Sequence, residues 1–233
     1  MKIAVITSMY GGNTDLRSLT DEEKSYDVDY FAFLDRDNKN TKGWNKVISK
    51  NHSIIDSRWD YRRNAKIFKV LPELFLPEYD VYIWIDSEIE IKKDPNFICE
   101  NYLKNNDIAI FKHSKRNCVY DEGEIIEKLG WDHPDLLKNQ FNFYKSNNFP
   151  RNFGLYEMTS YIKRKNDITK VMGTMWWELI CRFSSRDQLS FPYVIWKLHD
   201  DLKISLLPGM VREVNDFFYL AYKELSYDFI RKY

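Results

Sequence analysis

Residues 81–88 read Val-Tyr-Ile-Trp-Ile-Asp-Ser-Glu. Five consecutive apolar residues suit a strand buried on both faces, as in a mainly parallel sheet. The run stops abruptly at Asp86-Ser87-Glu88. Open α/β sheets bind ligands beyond the carboxyl ends of their strands, so this break marks a candidate site as well as a strand end. In extended backbone, residues i and i+2 point the same way, so Asp86 and Glu88 can converge on one cation, with a solvated strand end as the open alternative. Hard carboxylate oxygens suit Mg²⁺ or Mn²⁺, which are held through one or two carboxylates plus substrate phosphates.

Working outward, residues 62–76 place Ala65, Ile67, Phe68, Leu71, Leu74 and Phe75 at spacings of three and four. That predicts a helix with a buried stripe, its basic residues Arg62, Arg63, Lys66 and Lys69 mostly on the other side, stopped by Pro77. Residues 2–9 predict a first strand ending in Gly11-Gly12, and Tyr30 to Leu34 a second. Ile89 to Ile91 alternates with acids and reads as a half-exposed strand; Ile108 to Lys112 reads as another. Strand–helix–strand alternation over the first 115 residues predicts an α/β sandwich. Farther on, residues 122–130, 135–144, 167–183 and 187–198 read as helices and 154–164 as a strand. No repeat or Gly/Ser/Pro-rich linker divides the chain, which predicts one domain over 1–233.

Composition narrows the function classes. Lys plus Arg and Asp plus Glu each count 35 in 233 residues, so the formal net charge is zero. That argues against binding nucleic acid through a bulk positive field. Aromatic residues make up 16% of the chain, which excludes disorder. Three widely spaced cysteines, Cys99, Cys118 and Cys181, fit neither a disulfide framework nor a CxxC metal site. No apolar run approaches the ~18 residues of a membrane span. The expectation is a soluble, cytoplasmic protein, with docking on a membrane through a partner left open.

Three further constellations carry candidate chemistry. Ser185 with Gln188 reads as a capping box for the helix that follows, leaving Arg186 and Asp187 to face a site. Trp176-Trp177-Glu178 sits on a predicted helix, where adjacent Trp residues lie about 100° apart. Core packing and a sugar-stacking platform beside a carboxylate both remain open for this pair. His113, Arg116, Tyr120 and Glu122 follow a strand in a donor-rich, loop-like stretch that suits a polar ligand. The chain has no GxSxG, HExxH, Walker A or GxGxxG motif.

The run YRRNAKIFKVLPELFLPEYDVYIWIDSEIEI (61–91) resembles the core of a glycosyltransferase-like family, long described only as a domain of unknown function. The family occurs in bacterial surface-polysaccharide clusters, in viruses and in plant proteins of mucilage and pectin synthesis. FKHSKRNCVYDEG (111–123), NFPRNFGLYEMTSYIKRKND (148–167) and MWWELICRFSSRDQLSFPYVIWK (175–197) resemble it in the same order. The resemblance covers roughly residues 1–200. It implies a single Rossmann-like domain of the nucleotide-diphosphosugar transferase (GT-A) type, with a mixed, mainly parallel sheet flanked by helices. On that reading residues 1–115 form the nucleotide-sugar-binding half, 116–200 the acceptor side and 201–233 a C-terminal helical extension. The implied activity is transfer of a hexose or deoxyhexose from a UDP- or GDP-sugar to a glycan acceptor. Asp86 and Glu88 then take the place of the metal-binding acid-x-acid motif. Many relatives have Gly at Ser87 and Asn or another residue at Glu88, and relatives often have Arg-x-His where this chain has Arg164-Lys165-Asn166. His199 lies where some enzymes of this type place a metal-binding histidine, although KLHDDLKI departs from that motif.

In physical terms, breaking a sugar–phosphate bond leaves growing negative charge on a nucleoside diphosphate, which a divalent cation stabilises. Lys66 and Arg63 are candidates to hold the diphosphate. Thr7, Ser8 and Tyr10 would receive the nucleoside, with Tyr10 available to stack. His113, Arg116, Trp176, Trp177 and Arg186 are candidates for the acceptor side. An inverting reaction needs a base, for which Asp187 ranks before Glu178; a retaining one needs none, and both residues then only position sugars. Two other readings use the same residues: a non-catalytic glycan-binding module on a degenerate scaffold, and a metal-dependent phosphoester hydrolase or nucleotidyltransferase.

Overall fold

The computed structural model describes residues 1–11, 15–37, 40–49, 61–211 and 215–221. Its centre is a seven-stranded sheet in the order β3-β2-β1-β4-β7-β6-β8. The strands are β1 (Ile3–Met9), β2 (Asp29–Leu34), β3 (Asn45–Ile48), β4 (Val81–Ile85), β6 (Ile108–Lys112), β7 (Tyr156–Arg164) and β8 (Ile204–Leu206). All neighbours pair in parallel except β7, which runs antiparallel between β4 and β6. The chain moves outward from β1 to β2 and β3, then returns to lay β4 on the other flank of β1. The strand order therefore reverses between β1 and β4, and sheets of this kind bind ligands beyond the carboxyl ends of the strands at such a point.

Both faces of the sheet are covered, which explains the unbroken apolar run of β4. Ala4, Ile6, Tyr82, Trp84, Tyr161, Ile108 and Ile110 point into one buried cluster. That cluster also holds Ile67 and Phe68 of α2 (Tyr61–Val70), Trp176 of α6 (Asp167–Arg182) and Phe191 of α7 (Asp187–Lys197). Val5, Ile83, Ile85, Ala109 and Ile162 point the opposite way, onto Ile98 of α3 (Pro95–Tyr102) and onto Phe217 and Phe218. On the first face α6 crosses α2 at Gly173, where a Cβ would come within 2.5 Å of the Val70 carbonyl oxygen. Glycine is what allows this close approach. Asn166 and Thr169 form a reciprocal capping box that starts α6.

A buried ion pair braces the second face. The Arg17 guanidinium grips both oxygens of the fully buried Glu23, of α1 (Asp21–Ser25), each at 2.7 Å. Arg17 Nε also donates to the Ile89 carbonyl at 3.0 Å, and Glu23 accepts from the Ile91 N–H. This fixes β5 (Ile89–Ile91), which pairs antiparallel with β9 (Phe218–Leu220). Ile89 and Ile91 are buried, so β5 is exposed only through Glu90. The expected helical extension is not found among the described residues beyond 200: Ile204–Leu206 and Phe218–Leu220 are strands. Both gain backbone partners from existing strands, β6 and β5, which local sequence pattern does not register. Residues 222–233 lie outside the described residues. No described helix is long and apolar enough to cross a membrane.

Candidate functional site

Asp86 stands where β4 ends. Its N–H donates to the Thr159 carbonyl of β7 at 2.9 Å, and its carbonyl accepts from the Ile89 N–H at 2.9 Å. The second bond closes a four-residue turn over Asp86–Ile89. The i, i+2 alternation that would aim Asp86 and Glu88 together thus breaks at Asp86, because this backbone is a turn and not extended strand. Both side chains are half-buried. Asp86 Oδ1 accepts the Trp84 indole N–H at 2.9 Å and lies 3.9 Å from the Lys69 ammonium. No group of three or more His, Cys, Asp or Glu capable of holding a metal occurs among the described residues.

The chemistry beside Asp86 is a lysine pair around one carboxylate. Lys66 and Lys69 are three apart on α2 and so share a face. Asp187 opens α7, and its Oδ2 meets the Lys66 ammonium at 2.8 Å and the Lys69 ammonium at 2.5 Å. Lys69 also donates to the Met158 carbonyl. Its side chain is only 1% exposed, so it does not lie on the solvated side of the helix. Burial pushes the Lys69 ammonium below its ordinary range, and Asp187 only partly offsets this. At Lys66 burial acts the same way, but Asp187 and Asp86 outweigh it and raise the ammonium. Burial alone would raise the Asp187 carboxyl; the two lysines outweigh that and hold it well below the usual carboxylate range. The Asp187 carbonyl in turn accepts the Trp176 indole N–H at 3.1 Å and the Ser190 hydroxyl at 3.1 Å.

Several sequence-predicted residues have other tasks. Trp176 is fully buried against Phe191 and Tyr161, so it is core and no sugar platform. Trp177 is half-buried on the same core, and Glu178 is exposed on α6 outside the lysine cluster. Thr7 is fully buried, on the face of β1 shared with Val5. Ser8 donates to the Ala65 carbonyl at 2.8 Å, tying β1 to α2. The Tyr10 ring stacks on Phe68 at 5.8 Å, its hydroxyl donates to the Ser49 carbonyl, and burial pushes its phenol up to about 12. Arg63 spends its fork on the carbonyls of Ile180 and Phe183 at the end of α6.

His113 Nδ1 accepts from the N–H groups of Lys115 and Arg116, at 3.1 and 3.0 Å. Its Nε2 faces the buried Glu122 at 3.9 Å, and Glu122 is gripped by Arg116. Glu122 lies in α4 (Val119–Lys128), a turn earlier than the pattern predicts.

The loop before α7 is fixed differently from the expected capping box. Arg186 is the N-cap, with no side-chain cap bond. Ser184 and Ser185 instead bind Asp132 Oδ2, Ser184 Oγ at 2.6 Å and the Ser185 N–H at 3.1 Å. His199 is exposed and paired with Asp200. It follows the far end of α7, an eleven-residue helix, so it stands about 16 Å from Asp187 along the axis. Asn166 caps α6 beside the amino end of β4, at the opposite end of that strand from Asp86. Sequence reasoning missed Lys69, Asp132 and Trp131 as site-building residues. Only Lys69 carried a signal, its i, i+3 relation to Lys66.

A family model described as TOD1/MUCI70, glycosyltransferase-like domain, matches residues 2–222. The chain belongs to the TOD1/MUCI70 glycosyltransferase-like family. A relative in this family, the probable hexosyltransferase MUCI70 of Arabidopsis thaliana, is 30% identical over 167 residues. The match takes in 67% of this chain and 28% of the plant protein, so the chain spans well under two thirds of that relative's length. Among solved structures, apo mouse xyloside xylosyltransferase 1 superposes with a TM-score of 0.50 at 11% identity, over 88% of this chain and 84% of that one. It shares the α/β fold. The apo WbbM bifunctional glycosyltransferase aligns with a TM-score of 0.45 at 12% identity, over 89% of this chain and 38% of that one.

Proposed function

We propose that this TOD1/MUCI70 domain is a GT-A-type hexosyltransferase that moves a sugar from a nucleotide-diphosphate donor to a glycan hydroxyl. The observation that carries the reading is the group Lys66, Lys69, Asp187 and Asp86 at the carboxyl end of β4, beside the switch point of the sheet. Ligands of such sheets bind there, and glycosyl transfer needs positive charge where the diphosphate leaves. Lys66, 21% exposed and locked by Asp187, is placed to meet that group with its ammonium.

Asp86, half-buried at the end of β4, is a hard donor that suits Mg²⁺ or Mn²⁺ in a site completed by substrate phosphates. When bound, the ion would add Lewis-acid stabilisation of the departing diphosphate. Trp84 and Lys69 keep one Asp86 oxygen turned inward, leaving the other for a ligand. We read Asp187 as a positioning residue and not as the base. A carboxylate locked between two ammonium groups is a weak proton acceptor, since a useful base has a pKa near the working pH.

The test is Asp86→Asn. Product analysis with UDP- and GDP-hexoses, with and without a glycan acceptor, is expected to show transfer by the wild type and none by the folded variant. Wild-type-like transfer by a folded Asp86→Asn protein refutes the assignment. Donor cleavage by the wild type without any transfer refutes the transferase reading in favour of hydrolysis.

A further inference from the structure

One basic group lies outside the lysine cluster and next to it. Arg62 precedes Lys66 by four residues on α2, so the two lie on one side of the helix. Arg186 precedes Asp187 in the chain. The two guanidinium groups converge on the Trp131 carbonyl, Arg62 at 2.8 Å and Arg186 at 3.5 Å. Neither is in an ion pair among the described residues. The acids whose charge reaches Arg186 are Asp187, Asp132 and Glu122. Each has other partners: Asp187 is held by Lys66 and Lys69, Glu122 by Arg116, and Asp132 has one oxygen on Ser184 and Ser185 and the other on the His133 N–H. Arg186 Nε is buried without a hydrogen-bond partner among the described residues. The Trp131 ring is 37% exposed and carries the Arg186 guanidinium over it at 5.1 Å. Among the described residues these two adjacent guanidinium groups have no ion-pair partner, and beside an accessible indole they suit an anionic ligand.

Resting on the transferase reading above, we propose that Arg62, Arg186 and Trp131 form an acceptor subsite for an acidic sugar, a hexuronic acid residue. The guanidinium groups take its carboxylate and the indole takes the apolar face of its ring. The donor diphosphate is the weaker candidate occupant, because Lys66 stands nearer Asp86 and the end of β4. A carboxylate on a pyranose ring matches both halves of the subsite, since Arg binds carboxylates through its planar fork and aromatic rings stack on sugars.

The experiment is calorimetric binding to the full chain, with two separate probes. One is UDP or GDP with Mn²⁺. The other is a uronate oligosaccharide, an oligogalacturonide or a hyaluronan fragment, alongside its carboxyl-reduced neutral counterpart. The wild type is expected to bind at least one uronate probe, and carboxyl reduction to weaken it at least tenfold. Arg62→Gln, on an exposed side chain, and Arg186→Gln are each expected to weaken the acidic probe about tenfold. Trp131→Ala is expected to weaken acidic and neutral probes alike. Nucleotide affinity is expected to change less than threefold in Arg62→Gln. Equal affinity of wild type for acidic and neutral probes overturns the proposal. So does a tenfold loss of nucleotide affinity in Arg62→Gln with the uronate probe unaffected, which would assign the arginines to the donor. Absence of nucleotide binding by the wild type counts against the transferase reading instead, and the uronate arm still decides the subsite.

Discussion

Replacing Asp187 with Asn removes the one carboxylate that holds both lysines while keeping nearly the same shape. Breaking a buried ion pair from one side costs about 3–5 kcal/mol, because the remaining charge stays buried without compensation. Here the burden falls on Lys69, whose side chain is 1% exposed, and much less on Lys66, which at 21% exposure can turn to water. Lys69 retains the Met158 carbonyl and, at 3.9 Å, Asp86. The loss should therefore sit near the lower end, about 3 kcal/mol. For a chain of 233 residues that lowers the melting temperature by roughly 6–12 °C. Urea and thermal unfolding measure it. Lys69→Met in the same chain removes the stranded charge, so the double variant should regain at least ~1 kcal/mol over Asp187→Asn alone. Acid titration gives an independent check. A carboxyl held below its unfolded value stabilises the fold above that value and loses the contribution as pH falls through the folded one. Wild type should lose stability below the carboxylate value of 3.8, and Asp187→Asn should lose less over that range. Kinetically, a positioning role predicts a raised donor KM. A base role predicts a fall of roughly 10²–10⁴ in kcat with donor affinity unchanged. Stability within 1 kcal/mol of wild type, or the kinetic pattern of a base, would refute the assignment.

Gly173→Ala should destabilise by about 1–3 kcal/mol although alanine favours helices, because the added Cβ meets the Val70 carbonyl at 2.5 Å; denaturant unfolding reads this directly. Trp176→Ala should cost about 3–5 kcal/mol. Trp176→Phe, which loses the N–H to the Asp187 carbonyl and part of the ring volume, should cost less, about 1–3 kcal/mol. Loss of glycan affinity at unchanged stability would instead make Trp176 a platform. Burial lowers the His113 imidazole below 6.5, so the unfolded chain takes up that proton first as pH falls. His113 thus stabilises fully above pH 6.5 and less as pH drops through its folded value. His113→Asn, whose amide oxygen can accept the same backbone N–H bonds, should flatten the stability profile in that range.

The sequence by itself determined the strands of the sheet centre. β1, β2, β4 and β6 are buried by neighbours on both faces, so each must be a short apolar run, and each reads as one. It also marked Asp86, because an apolar strand cannot carry a carboxylate inward and must end there. β3, β8 and β9 were not legible. They have three or four residues each, and β3 and β8 lie at the sheet's edges, where no alternation is imposed. The site was the least legible part. On helical spacing Lys69 belongs with the basic residues that face water, and Trp176 reads equally as core or platform. Their roles depend on Asp187, 121 positions from its partner Lys66. A lysine is buried only where a distant segment supplies an anion, and a tryptophan N–H is satisfied only where a carbonyl is left free. Periodicity along one helix records neither condition, so only the packing of α7 and α6 onto α2 decided that these charges and rings come together beside the end of β4.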